Sequence, residues 1–509
     1  MKKKFAFIFG AAFLIRLISL NQSLWLDEAI TAKVVRQFSF FEISTLFSPG
    51  DFHPPLYYIF LKLWTNVFGY SEISLRIPSV LFSLLTGHVV FLIGSRLRSR
   101  QVGMWAAILY LFNPLVIYYS QEARMYSMVT FLLTFALFFG LNILELDASK
   151  KKKNIFRQIL SIPFQILRMG MHHDESTMLS IKNKAVLVFF FNLALVLALF
   201  TFYGSIFFIL AILLVFFIRK KYKQMLISTA CLILTFLLML PLFKEQLSHA
   251  PFLSKDVANW SQVLGAASFK NLMLIPIKFS IGRISFYPKI LYYVIAGLWT
   301  SFVFSFALLG FIKERMLGLI LVLPVALGFL VSTVSPLLQY FRFLYLVPVL
   351  SLLVALGVEE YMAVKHKKGF FSIFRRGKQK KLMYRVKENA IYEILIGVFL
   401  FWSLLYLLFS AFHREDWKTM SKHLPDNRTI YMILPSSDPL LYYEALSLKE
   451  LRNIEKEQFF EKDTYIVPYT VPIYGFDYEK ILHEKGCYVK EKKTYRQIYF
   501  ERWNCGRIS

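Results

Sequence analysis

The chain has 509 residues, 57% of them hydrophobic, and a formal net charge of +27. Soluble domains carry roughly 45–50% apolar residues, so a single water-soluble core cannot account for the excess. A charge this basic would suit nucleic acid, but the Lys and Arg residues gather in alternate gaps between apolar runs, with no interleaved basic and aromatic groove. That argues against a nucleic-acid binder and for membrane orientation by the positive-inside rule.

In chain order, Met1-Lys2-Lys3-Lys4 precedes a first apolar run at 5–20, with no small-residue cleavage site before Asn21-Gln22-Ser23. It reads as a retained span rather than a removed signal. The loop 21–76 then carries Asp27-Glu28, two adjacent carboxylates following Leu24-Trp25-Leu26. Such acids can act as a base at the interface, or they can simply charge the N-terminus of a surface helix over 28–38. His53-Pro54-Pro55 stiffens the chain and opens an amphipathic helix ending near Gly69. Its alternative is a loop-to-helix entry with an incidental His. Arg76 stands at the threshold of the next span, where it either snorkels or faces a phosphate.

Further runs near the roughly 20 residues that cross a bilayer occupy 77–97, 102–118, 126–146, 185–200, 205–218, 225–243, 290–312, 317–332, 343–362 and 391–411. The total is about eleven spans. With the N-terminus inside, every cytoplasmic connection is net positive. The outward segments hold the unusual side chains: Glu122, Arg124 and Tyr126 after the third span, and Tyr340 and Arg342 entering the tenth. An acid and an Arg at a membrane face are costly unless paired or used, and an interfacial Arg grips a phosphate well. Ion pairing and interfacial anchoring are the structural alternatives.

The cytoplasmic loop 147–184 holds Lys150-Lys151-Lys152-Lys153, an amphipathic stretch at 155–169, and His172-His173-Asp174-Glu175. Adjacent residues on one loop seldom converge on a metal. A second basic cluster runs from Arg375 to Lys381. The division expected is a transmembrane catalytic domain over 1–411 and a small extracytoplasmic α/β domain over 412–509. In the latter, 429–434 and 464–467 read as strands, 439–446 and 478–484 as helices, and 487–500 as a hairpin. Of three cysteines, Cys231 lies in an apolar run. Cys487 and Cys505 are placed to pair if the tail faces an oxidising compartment.

Several motifs, in order, resemble those of the GT-C type membrane glycosyltransferases related to protein O-mannosyltransferases and to the lipid A aminoarabinose transferase. They are Leu24-Trp25-Leu26-Asp27-Glu28-Ala29, His53-Pro54-Pro55-Leu56-Tyr57-Tyr58, Leu75-Arg76-Ile77-Pro78-Ser79, Tyr118-Tyr119-Ser120-Gln121-Glu122-Ala123-Arg124-Met125-Tyr126 and Arg414-Glu415-Asp416-Trp417-Lys418. The resemblance is strong over about the first 130 residues and thinner beyond. Thr201-Phe202-Tyr203-Gly204 departs from it where many relatives have a His-Tyr pair.

The resemblance implies a mainly α, polytopic transmembrane helix bundle with its working face extracytoplasmic in the plasma membrane. It implies transfer of a sugar from a polyprenyl phosphate-linked donor to a hydroxyl acceptor, on a protein, glycolipid or cell-envelope glycan, with inversion. Asp27 is the expected base, with Glu28 and Glu122 as further catalytic candidates. His53, Arg76, Arg124, Tyr126, Tyr340 and Arg342 are the expected substrate-binding residues. No cofactor is certain. A divalent metal is left open, since His53 with Glu28 is too few ligands for a protein cage. The rival readings are a transporter or flippase for a lipid-linked sugar, which should show repeated halves and charged mid-span helices, and a noncatalytic assembly partner.

Overall fold

The computed structural model describes residues 2–145, 184–257, 259, 264–368, 378–457 and 460–505. The lysine cluster at 150–153, the stretch 155–169, the His172–Glu175 run and the start of the second basic cluster lie outside the described residues. Among those described, every apolar run picked out from the sequence is helical. Eight helices are long and apolar enough to cross a membrane, and a ninth span is made by Arg100–Leu111 and Pro114–Ser120, bent by 61°. Lys2–Leu17 and Ser205–Ile218 are shorter, with 16 and 14 residues. The protein is a multi-pass membrane protein.

Burial separates the central helices from the rim. The apolar window of Tyr340–Ala363 is 89% buried and that of Tyr222–His249 only 22%. The rim helices turn Leu234, Leu237, Leu238 and Leu298 outward, the surface a bilayer would cover. Small residues let backbones meet at the centre. A Cβ on Gly310 would strike the backbone of Leu353, and one on Gly357 the carbonyl of Phe306, so Lys289–Lys313 and Val347–Lys368 pack main chain to main chain.

The bend in the third span is written in Asn113-Pro114. Pro114 cannot continue the preceding helix but suits a first turn. Asn113 caps that turn, its Oδ1 accepting from the backbone of Leu115 at 2.9 Å and Val116 at 3.2 Å, while its Nδ2 donates to Phe279 O at 2.8 Å. The redirected helix ends at Ser120 and delivers residues 121–125 to one end of the bundle. There the first loop forms helices Leu26–Gln37 and Leu56–Phe68, the second stopped by Gly69 at φ 81°, a conformation that favours glycine.

The tail builds a five-stranded sheet from β1 (Ile430–Met432), β2 (Leu448–Glu450), β3 (Asp463–Val467), β4 (Cys487–Tyr495) and β5 (Ile498–Cys505), in the order β2-β1-β3-β5-β4. β1 runs parallel to β2 and β3, and β5 antiparallel to β3 and β4. The period of two sorts side chains onto two faces. Tyr431, Ile466 and Trp503 fill one core, and Ile430, Met432, Val467 and Phe500 the other, with Trp417. β2 had no clear sequence signal. Cys487 and Cys505 face each other in register and form a disulfide.

The sheet docks on the first loop. Leu24 N donates to Tyr443 OH at 2.9 Å, Tyr442 OH to Tyr70 O at 2.8 Å, and Lys418 Nζ lies 2.9 Å from Glu72. Tail and loop therefore close over the same end of the bundle.

Candidate active site

Asp27 and Glu28 open the helix Leu26–Gln37, where its N-terminal amides favour negative charge. Successive residues on a helix point about 100° apart, and here they enter different surroundings. Glu28 turns inward and is fully buried, as is Arg76. Arg76 gives Nε to Glu28 Oε1 at 2.8 Å and Nη2 to Oε2 at 2.6 Å. Its other N–H groups go to the carbonyls of Leu20 at 2.8 Å, Gln22 at 2.6 Å and Ser23 at 3.1 Å. All five guanidinium donors are spent, so Arg76, expected at a lipid phosphate, has none left for one. Glu28 also accepts from Ala123 N at 2.8 Å. Burial alone would raise its pKa, but Arg76, then Arg414, outweigh it and hold the carboxyl below its ordinary value.

A second acid–arginine pair adjoins the first. Arg414, from the start of the tail, lies 3.0 Å from Glu122 Oε2 and 3.8 Å from Glu28 Oε2. It donates to Gln121 O at 2.7 Å and covers the Tyr118 ring at 4.5 Å. Arg283 stands 4.9 Å from that ring and donates to the Tyr118 hydroxyl at 2.8 Å. Burial pushes the Glu122 pKa up to about 7, with Glu28 adding to the rise and Arg414, Arg283 and Arg124 opposing it. Among the described residues, Glu122 Oε1 is buried with no hydrogen-bond partner. A carboxyl in that state can hold a proton near neutrality.

Asp27 is different, for its side chain is 34% exposed. Arg124 Nη2 lies 3.5 Å from its Oδ2, and Arg342 is within its electrostatic reach. Among the described residues, Arg342 Nη1 and Arg124 Nε are buried without a hydrogen-bond partner. Unspent buried donors beside an open carboxylate are unusual in a finished structural network. Tyr126 sits beside them, its ring 5.5 Å from Phe341 and 6.2 Å from Phe202, while Tyr340 packs 5.6 Å from Phe341.

His53 completes the rim. Its Nδ1 is 3.2 Å from Asp51 Oδ1, and Asp51 Oδ2 accepts from Tyr58 OH at 2.7 Å. Burial works to raise the Asp51 pKa, but His53, Arg124 and the Tyr58 hydroxyl outweigh it and hold it below its ordinary value. From the tail, Tyr469 donates to Glu415 at 3.2 Å and stands within electrostatic reach of Asp27.

Asp27, Arg124, Tyr126 and Arg342 thus lie within electrostatic reach of one another, with His53 joined through Asp51 and Tyr58. Glu28 and Arg76 are locked away beside them with no exposure. Arg414, Arg283 and Asp51 were not singled out as site residues from the sequence. Arg414 had a signal, because it opens a motif carried by the resemblance; Asp51 stands two residues before His53; Arg283 had only its outward loop. Among the described residues no three His, Cys, Asp or Glu side chains converge to hold a metal ion.

The bundle, the paired helices of the first loop and the docked sheet make one fold, a helical membrane bundle capped at one end by a small α/β domain. Residues 52–156 match the family model described as dolichyl-phosphate-mannose-protein mannosyltransferase. No curated protein matches in sequence. Over nearly its full length the chain is similar in fold to ArnT from Cupriavidus metallidurans. The match to the apo crystal structure has a TM-score of 0.53 and 12% identity, covering 98% of this chain and 97% of that one. The match to ArnT bound to undecaprenyl phosphate has a TM-score of 0.54 and 12% identity, with the same coverage. An Archaeoglobus fulgidus oligosaccharyltransferase in complex with Zn and sulfate matches at a TM-score of 0.50 and 12% identity, covering 91% of this chain and 68% of that one.

Proposed function

We propose that the chain is a membrane glycosyltransferase that moves a sugar from a polyprenyl phosphate-linked donor to a hydroxyl acceptor on a protein, glycolipid or cell-envelope glycan. The observation that carries this reading is the open Asp27 carboxylate flanked by Arg124 and Arg342, each with an unspent buried donor. Asp27 takes the proton of the acceptor hydroxyl as its oxygen attacks the anomeric carbon. The bond from that carbon to the phosphate breaks with its electron pair, and the arginines meet the charge growing on the leaving polyprenyl phosphate. Attack opposite the leaving group inverts the anomeric centre without a covalent sugar intermediate.

His53 borders the phosphate and Tyr126 and Tyr340 line the sugar. Glu122, held by Arg414, frames the acceptor side. The family description and the undecaprenyl phosphate bound to ArnT support the donor class. We place the site on the extracytoplasmic face of the cell membrane. The Cys487–Cys505 disulfide of the tail supports this, because such bonds persist in oxidising compartments.

The test is purified protein in lipid nanodiscs, supplied with undecaprenyl- and dolichyl-phosphate sugars and hydroxyl acceptors. Release of polyprenyl phosphate in step with product is expected. Donor turnover absent with every carrier refutes the enzyme reading, and wild-type transfer by Asp27→Asn removes Asp27 as the base.

A further inference from the structure

His53 is held from several sides. Nδ1 meets Asp51, and the Phe202 ring stacks on the imidazole at 6.4 Å and 20°. The His53 carbonyl accepts from Gln246 Nε2 at 3.4 Å, and the same amide donates to Ser48 O at 2.7 Å. Gln246 is itself fixed by Tyr203, whose hydroxyl donates to its Oε1 at 2.7 Å. Among the described residues no hydrogen bond engages Nε2, and the side chain is 23% exposed. The ring is therefore aimed, and one polar edge is left over.

From Asp51 a chain of contacts leads to the reaction centre. Tyr58 OH donates to Asp51 Oδ2 at 2.7 Å and accepts from Arg124 Nη1 at 3.2 Å, and Arg124 Nη2 lies 3.5 Å from Asp27. The direction of each bond is forced. A carboxylate only accepts and a guanidinium only donates, so the single Tyr58 proton must point to Asp51. An amide in place of the carboxylate cannot keep both ends. Turned one way, its NH2 faces Tyr58, which then has to accept from two donors; turned the other way, it faces Nδ1 and imposes the opposite tautomer on His53.

We infer that Asp51 is a positioning residue for the polyprenyl phosphate: it turns the Nε2 edge of His53 toward the phosphate and, through Tyr58, holds Arg124 in step with it. This rests on the donor reading above. Asp51 does not touch the substrate. It makes two phosphate-facing groups from separate outward loops act as one preorganised unit, which lowers the ordering cost of binding.

A double-mutant cycle tests it, with the affinity of nanodisc-embedded protein for radiolabelled undecaprenyl phosphate as the readout. Asp51→Asn should weaken binding about tenfold in the wild-type background and only about threefold, the share carried through Tyr58 and Arg124, in a His53→Ala background, because residues acting as one unit are not additive. Tyr58→Phe cuts the same chain one link further on. It should weaken binding by about threefold without lowering the melting temperature, which keeps the inference testable if Asp51→Asn folds poorly. In turnover, the donor KM of both variants should rise while the acceptor KM stays level. Equal losses in both backgrounds would show a general structural role and overturn the inference. So would wild-type affinity in both Asp51→Asn and Tyr58→Phe. A wild-type protein that binds no polyprenyl phosphate overturns the donor reading and this role with it, whereas wild-type binding with indifferent variants overturns this role alone.

Discussion

The first outward loop has a closed half and an open half. In the closed half, Glu28 and Arg76 exchange two short hydrogen bonds with no exposure, and backbone carbonyls take every remaining guanidinium donor. In the open half, Asp27 is partly exposed, its contact with Arg124 is a longer 3.5 Å, and Arg342 keeps a donor unspent. A fully paired buried charge has nothing left to give a substrate, and separating it is expensive. An under-satisfied charge at an opening has both the capacity and the access. The closed half is a frame, and the open half is where we propose the reaction takes place.

This contrast can be broken in several ways. The largest effect expected is on Asp27→Asn: a fall in transfer of about 10²–10⁴-fold, the usual worth of a positioned base, with an unchanged melting temperature in detergent. Nearly as large, but of the opposite kind, is Glu28→Gln. It leaves Arg76 buried without a counter-charge and should cost about 3–5 kcal/mol of stability, read as early aggregation on heating and poor recovery from size exclusion. If the two variants exchanged phenotypes, the division into frame and reaction centre would be wrong.

A smaller effect concerns the boundary between the halves. Burial raises the Glu122 pKa from 4.5 to about 7. Between those values the folded protein holds a proton that the unfolded chain has released, so stability is greatest below about 4.5 and is lost as pH rises toward 7. Thermal melts across that window should show a decline that Glu122→Gln flattens. Least of all should follow from Lys33→Ala. Its 2.8 Å contact with Asp438 ties the loop to the tail, but the lysine is 47% exposed. A screened surface pair is worth roughly 0–1 kcal/mol, so melting and transfer should stay within error.

Much of the fold was legible in the chain. Apolar runs of bilayer length mark the helices because length and hydropathy are local properties that lipid selects directly. Gly69 marks the end of a loop helix through its own backbone freedom, whereas the bend at Asn113-Pro114 falls inside the run 102–118 that reads as one straight span. Strand β2 escaped because three residues, Leu448–Glu450, are too few to show a period. The site was only half legible. Asp27, Arg124 and Arg342, from three separate segments, lie within electrostatic reach of one another. Arg414 was hidden because its partners, Gln121 and Glu122, lie nearly three hundred positions away, as the 292-residue separation from Glu122 shows. Asp51 was hidden because its importance comes from Tyr58 and Arg124, not from its neighbours in sequence.

By itself the sequence determined that this is a multi-pass membrane bundle, since apolar runs of bilayer length follow from local composition. Only the resemblance set Asp27 apart from Glu28 as the expected base; composition and charge gave two equal carboxylates side by side. Only the tertiary structure decided their surroundings, because a turn of about 100° along one helix sends Glu28 onto Arg76 and leaves Asp27 partly exposed beside Arg124, within reach of Arg342.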